Sequence, residues 1–201
     1  EGMEAIHRTF EALDPSAMAG TFVAVPVVTI PAYWMACRVN PLDERNMARV
    51  FPGSTDGSAS ERIAARLLDR VMRHASLYID LHSAGRSSHW VTLCGFSNHG
   101  SQAETARAAA RCFWAPVIWE HPHDPEAGGR TLSATNDLCI PSLYTEARGG
   151  GHARPEDVDC YTRGLANLLR FLEIAELPAA GLPTGYEPEE LRGPGNTDKA
   201  L

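Results

Sequence analysis

Between Ser60 and Leu172 the chain switches repeatedly between a helical and a strand period, and that alternation constrains its fold more than any other feature. Ile63, Leu67, Leu68, Val71 and Met72 recur at helical spacing. They are followed at once by Leu77-Tyr78-Ile79-Asp80-Leu81-His82-Ser83, where apolar and polar side chains alternate as on a strand. Trp90 to Phe96 reads as another strand, Gln102 to Phe113 as an alanine-rich helix, Ala115 to Trp119 as a short strand and Ile140 to Glu146 as a further one. Pro155, suited to a first helical turn, opens a helix whose buried stripe is Val158, Tyr161, Leu165, Leu168, Leu169 and Leu172. Helices between strands imply a three-layer α/β/α fold with a mostly parallel, mixed central sheet and right-handed crossovers.

The flanks are less regular. Glu1 to Leu13 reads as a helix, stopped by Asp14-Pro15, and the β-branched run Thr21 to Val28 as a buried strand. Pro31 to Ser58 and His121 to Thr135 lack a sustained period and read as long loops. Past Leu177, frequent Pro and Gly make residues 178–201 a linker or extended arm beside a core of residues 1–177.

A formal charge of -7 over 201 residues, with no basic run, argues against a nucleic-acid partner. No apolar run reaches the length of a membrane span. The five cysteines are widely spaced and contain no C-x-x-C pair, which points to a reducing, cytoplasmic setting rather than a disulfide scaffold.

Alternation places Tyr78, Asp80 and His82 on one face of their strand, with the imidazole at its carboxyl end before Gly85, where α/β sheets gather ligands. On spacing alone, His82 is a metal ligand or a hydrogen-bonded structural residue, and Asp80 either orients it or satisfies a neighbouring strand end. His121-Pro122-His123-Asp124 looks metal-like but falls in a loop, where a lid over the substrate is the better expectation. His7, His74, His89, His99 and His152 are expected on surfaces or turns. Ser83 lacks the Gly-x-Ser-x-Gly elbow of a serine hydrolase.

Three segments occur in a telling order: Arg38 to Gly53, ending Asn46-Met47-Ala48-Arg49-Val50-Phe51-Pro52-Gly53; Asp80-Leu81-His82-Ser83; and Tyr144-Thr145-Glu146-Ala147-Arg148-Gly149-Gly150. Together they resemble the succinylglutamate desuccinylase/aspartoacylase family, which is related to the zinc carboxypeptidases and hydrolyses the amide bond of N-acylated amino acids. The resemblance extends to about Leu177 and implies a zinc-carboxypeptidase-like fold. It implies His82 as a ligand of one Zn2+ and Glu146 as the general base that then protonates the leaving amine. It also implies Arg49 as the grip on the substrate carboxylate and Arg38 as the stabiliser of the oxyanion. The family commonly has Asn-Arg where Ala48-Arg49 stands, so Asn46 is the expected substitute contact. The family's other two zinc ligands come from a His-Gly-x-Glu-x-x-Gly segment whose last glycine would be Gly2. The expectation is therefore an N-terminally truncated chain with an incomplete zinc site, possessing a smaller domain beyond the tail.

The implied partner is a small N-acyl amino acid, with the oligomeric state, including a homo-oligomer, left open. Two alternatives stand beside it: a non-catalytic α/β binding module that has lost its metal, and a metallocarboxypeptidase acting on peptides.

Overall fold

The structure, a computed structural model, describes residues 1–122, 124, 128–181 and 184–193. Its elements in chain order are α1 (Gly2–Ala12), α2 (Ile30–Trp34), α3 (Ala59–Arg70), β1 (Tyr78–Ser83), β2 (Leu93–Ser97), α4 (Ala103–Phe113), β3 (Val117–His121), α5 (Thr131–Asp137), β4 (Ser142–Ala147), α6 (Pro155–Phe171) and β5 (Glu189–Arg192). The sheet runs β1-β4-β2-β3-β5, with β4 antiparallel to β2 and every other neighbouring pair parallel. This is the layered, mostly parallel mixed sheet that the alternating periods require.

Residue parity divides the sheet into two unlike faces. Leu143 of β4, Cys94 and Phe96 of β2 and Ile118 of β3 point into the main core, against Ala106, Ala109, Ala110 and Phe113 of α4, Tyr161, Leu165 and Leu168 of α6 and Ala5 of α1. Ile79 and Leu81 of β1 pack against the same cluster. On the opposite face, Ala64 and Leu68 of α3 and Ala134 of α5 build a smaller cluster with Met72 and Phe51, and Tyr78 packs on it. That second cluster covers the beginnings of β1 and β4. Toward their ends the face carries Asp80, His82, Tyr144 and Glu146.

The segment carrying Arg38 and Arg49 is fixed by polar anchors on the start of α3. Ser58 and Glu61 form a reciprocal capping box there. The Asp43 carboxylate accepts from the Ser60 N–H at 2.6 Å and the Ser60 hydroxyl at 2.9 Å, and buried Asn40 donates to that hydroxyl at 3.1 Å. At the other end, the Phe51 N–H donates to the Gly129 carbonyl at 3.0 Å, zipping this segment to the approach to α5.

Several expectations need correction. Thr21 to Val28 is not a strand: it is extended chain outside the sheet ladders, with Val23, Val25 and Val28 exposed. β-branched residues favour a pleated surface only where a partner strand completes it, and no described strand lies beside this run. Pro31 to Ser58 contains most of α2 and a 3-10 turn over Met47–Arg49, while the stretch from His121 to Thr135 begins with the last residue of β3 and ends inside α5. β1 is a half-buried edge strand, because it has a single strand neighbour, β4. In the Pro/Gly-rich tail, Glu189–Arg192 returns as β5 alongside β3. The four residues of β5 are too few for periodicity to reveal.

Candidate active site

The site forms where β1 and β4 end side by side. Their parallel ladder puts Asp80 opposite Tyr144 and His82 opposite Glu146. The carbonyl of His82 is held from the helix side by the hydroxyl of fully buried Tyr161, at 2.7 Å. Beyond the strands, the Ala84 N–H donates to the Ala147 carbonyl at 3.1 Å and the Gly150 N–H to the Gly85 carbonyl at 2.8 Å, locking the two exit loops together. Gly150 has φ +78, and a Cβ there would lie 2.2 Å from the His89 ring, so a side chain is excluded both by conformation and by space.

His82 Nε2 sits 3.0 Å from Asp80 Oδ2, which also accepts from the Thr131 hydroxyl at 2.7 Å. Burial opposes protonation of the imidazole, yet Asp80, aided by Glu146, outweighs burial and the opposing charge of Arg49, and the pKa rises to about 9. Burial likewise opposes ionisation of Asp80, but His82 and Thr131 bring its pKa below the usual value. The Glu146 pKa is raised, first by burial and then by Asp80, against His82 and Arg38. Its Oε2 is buried and has no hydrogen-bond partner.

Leaving a buried carboxylate oxygen unpartnered is costly unless a proton or a cation meets it. This orphaned oxygen, next to an imidazole whose Nε2 is committed to a carboxylate, suits a zinc environment: a second carboxylate-bound nitrogen is how proteins fix the ring of a ligating histidine, leaving Nδ1 for the ion. No group of three His, Cys, Asp or Glu side chains that could hold a metal ion occurs among the described residues. His82, with its Nε2 held by Asp80, could supply one donor to such an ion.

The arginine-bearing segment lies within electrostatic reach of this pair. Arg38 is exposed, and its charge reaches Glu146. Arg49 is half-buried; its guanidinium donates to the Ala48 carbonyl at 2.9 Å, and its charge reaches His82. Asn46 uses its side-chain oxygen to accept from the Ala48 N–H at 3.0 Å, capping the turn that carries Arg49, which commits that oxygen to local structure. The structure therefore brings the charges of Arg49 and Arg38 to bear on His82 and Glu146, and ties Asn46 into the turn that carries Arg49.

His121 departs from the expected lid. It closes β3 and is buried, with Nε2 2.7 Å from the Tyr144 hydroxyl; His123 lies outside the described residues. Sequence reading passed over Tyr144, although it shares parity with Glu146, and over Gly95 opposite it, although a glycine inside a strand marks a close approach. His74, His89, His99 and His152 are exposed, and His7 pairs with Glu11 on the α1 surface at 3.3 Å. Glu120 is another buried carboxylate, but it faces the helices and pairs with Arg107 at 2.6 Å. None of the described helices is long and apolar enough to cross a membrane.

Comparison with known proteins gives the family and the fold. The chain is 30% identical over 179 residues to the N-alpha-acetyl-L-2,4-diaminobutyric acid deacetylase of Halomonas elongata, a match covering 88% of this chain and 52% of that protein. The product-bound structure of the ectoine utilization protein EutE (DoeB) from Ruegeria pomeroyi superposes with a TM-score of 0.86 at 26% identity, covering 97% of this chain and 58% of the other. A succinylglutamate desuccinylase/aspartoacylase structure from Rhodobacter sphaeroides gives 0.82 at 26% identity, covering 95% and 56%. The chain spans about half the length of these relatives. The succinylglutamate desuccinylase/aspartoacylase catalytic domain is matched over residues 1–172, so the chain belongs to that family.

Proposed function

We propose that this chain carries the catalytic core of a zinc-dependent deacylase that hydrolyses the amide bond of a small N-acyl amino acid. The observation that carries the reading is the His82–Glu146 register pair, in which Glu146 presents a buried, unpartnered carboxylate oxygen beside an imidazole held by Asp80. When bound, zinc supplies Lewis acidity that polarises an amide carbonyl and acidifies water. His82 would be one of its ligands, with further donors coming from outside the described residues.

Glu146 takes the proton from the attacking water and delivers it to the departing amine. Burial, which raises its pKa, suits a group that must both accept and return a proton. Arg49 grips the α-carboxylate through its planar fork, with Asn46 fixing the turn that carries it and offering its amide nitrogen as a second contact. Arg38, whose charge already reaches Glu146, meets the negative charge that develops on the carbonyl oxygen. The Halomonas relative suggests the finer substrate, an N-acyl diamino acid.

The test uses the complete, zinc-loaded protein and Nα-acetyl-L-2,4-diaminobutyrate. Glu146→Gln is expected to keep its zinc content, read by elemental analysis, and to lose about 10²–10⁴-fold in turnover. Undiminished turnover in that variant removes Glu146 from the chemistry. A wild-type enzyme that cleaves short peptides and leaves N-acyl amino acids intact replaces the deacylase reading with a peptidase.

A further inference from the structure

Tyr144 and His121 form a unit that the chemistry above does not use, on the face that carries Glu146. Tyr144 lies two residues before Glu146 on β4 and opposite Gly95 on β2. A Cβ on Gly95 would fall 2.0 Å from the Tyr144 ring, so the absence of a side chain there is what lets the ring lie across β2 toward β3. It ends stacked on the His121 ring, with centroids 5.4 Å apart and planes at 24°, and with its hydroxyl 2.7 Å from Nε2. The Trp119 ring also lies against His121, with centroids 4.8 Å apart.

Donor and acceptor roles along this line follow from the tautomer of His121. Nδ1 of His121 faces the Gly193 carbonyl at 3.4 Å, and Gly193 is itself held to β3 by its N–H, which donates to the Glu120 carbonyl at 3.2 Å. A carbonyl can only accept, so a hydrogen bond between it and Nδ1 requires the tautomer with the proton on Nδ1 and a bare Nε2. Tyr144 must then donate its one hydroxyl proton to Nε2, which leaves its oxygen with lone pairs only.

We propose that Tyr144 is a specificity-determining residue of this site: with its proton committed to His121, its hydroxyl oxygen accepts an N–H from the amino-acid side chain of the substrate. This rests on the deacylase reading and assigns a residue to the amino group of an N-acyl diamino acid. His121 is the positioning residue, and β5, through Gly193, holds His121 in the required tautomer. Burial, reinforced by Arg130 and only partly offset by Gly193, lowers the His121 pKa to about 4, which keeps the ring neutral near pH 7. Charge around the phenol is mixed. Burial and then Glu146 raise its pKa while Arg130 opposes them, so hydrogen-bond polarity, rather than charge of one sign, discriminates between substrates here.

The experiment measures kcat and KM of the complete, zinc-loaded enzyme on two substrates of equal length, Nα-acetyl-L-2,4-diaminobutyrate and Nα-acetyl-L-norvaline, which has a methyl in place of the amino group. Tyr144→Phe is expected to raise KM for the diamino substrate about 10-fold, to leave its kcat within about twofold, and to leave both constants for the norvaline substrate unchanged. His121→Gln should raise the same KM, and adding it to Tyr144→Phe should cost nothing more, because both act through one hydroxyl. Independently of turnover, ¹⁵N NMR of His121 should show protonated Nδ1 and bare Nε2. Equal losses on both substrates, or a His121 protonated at Nε2, overturn the proposal while leaving the deacylase reading standing. A wild-type enzyme that cleaves neither substrate overturns both.

Discussion

The two faces of the sheet are made by the same strands, one residue out of phase, and they are built on opposite terms. On the helix side, Leu143, Cys94, Phe96 and Ile118 are at most 2% exposed and share one apolar cluster with the helices, the Glu120–Arg107 pair lying beside it. On the other side, Asp80, His82, Tyr144 and Glu146 are half-buried, linked by charge and hydrogen bonds, and include a carboxylate oxygen without a partner. Stability and chemistry are thus separated by parity: a change at one position perturbs packing, and a change at the next perturbs the field at the site.

The sharpest way to break this comparison is to cut into the helix face. Leu143→Ala deletes a fully buried side chain from the main core, and its expected cost is about 2–5 kcal/mol in a urea denaturation series. A loss well under 1 kcal/mol would show that the helix face is loosely packed and that the contrast is overstated. Next in size is Asp80→Asn, one strand over on the polar face. It weakens the partner of His82 Nε2, and zinc affinity is expected to fall about 10–100-fold in competition with a chromophoric chelator. Unchanged affinity would reduce Asp80 to an acceptor for Thr131.

How legible these faces were depended on the range of the signal. The α4 and α6 stripes, β1 and β4 announce themselves through local periodicity, and parity alone put Asp80 and His82 on one face. The motifs containing Glu146 and Arg49 gave the rest of the expected constellation through the family resemblance they carry together. Tyr144 and His121 were missed because their partnership crosses three strands, and a strand order of β1-β4-β2-β3-β5 cannot be read from local pattern. His121 in particular reads as the start of a loop because Pro122 follows it, whereas pairing with β2 carries β3 up to that residue. Thr21 to Val28 erred the other way. Its composition is that of a strand, but pairing is a tertiary event that composition does not guarantee.

The smallest expected effect concerns the seam between the polar face and the loop that brings Arg49 to it. Asp43 anchors that loop by accepting from the Ser60 N–H, the Ser60 hydroxyl and the Arg45 N–H. Partial burial works against its ionisation, but these hydrogen bonds, led by that from the Ser60 N–H, bring the pKa down to about 2 from 3.8. A carboxylate whose pKa is lower in the folded state binds its proton more weakly there than in the unfolded chain. Its stabilising contribution is therefore complete above about pH 4 and disappears as the pH falls from there toward 2. Asp43→Asn removes this pH dependence as well as the charge. The midpoint of urea unfolding should then separate wild type from variant at pH 6 and converge between pH 4 and 2, with the gap at pH 6 kept modest by the solvent that reaches this carboxylate. Parallel curves throughout that range would mean that the loop is held by Asn40, Phe51 and the capping box without help from the Asp43 charge.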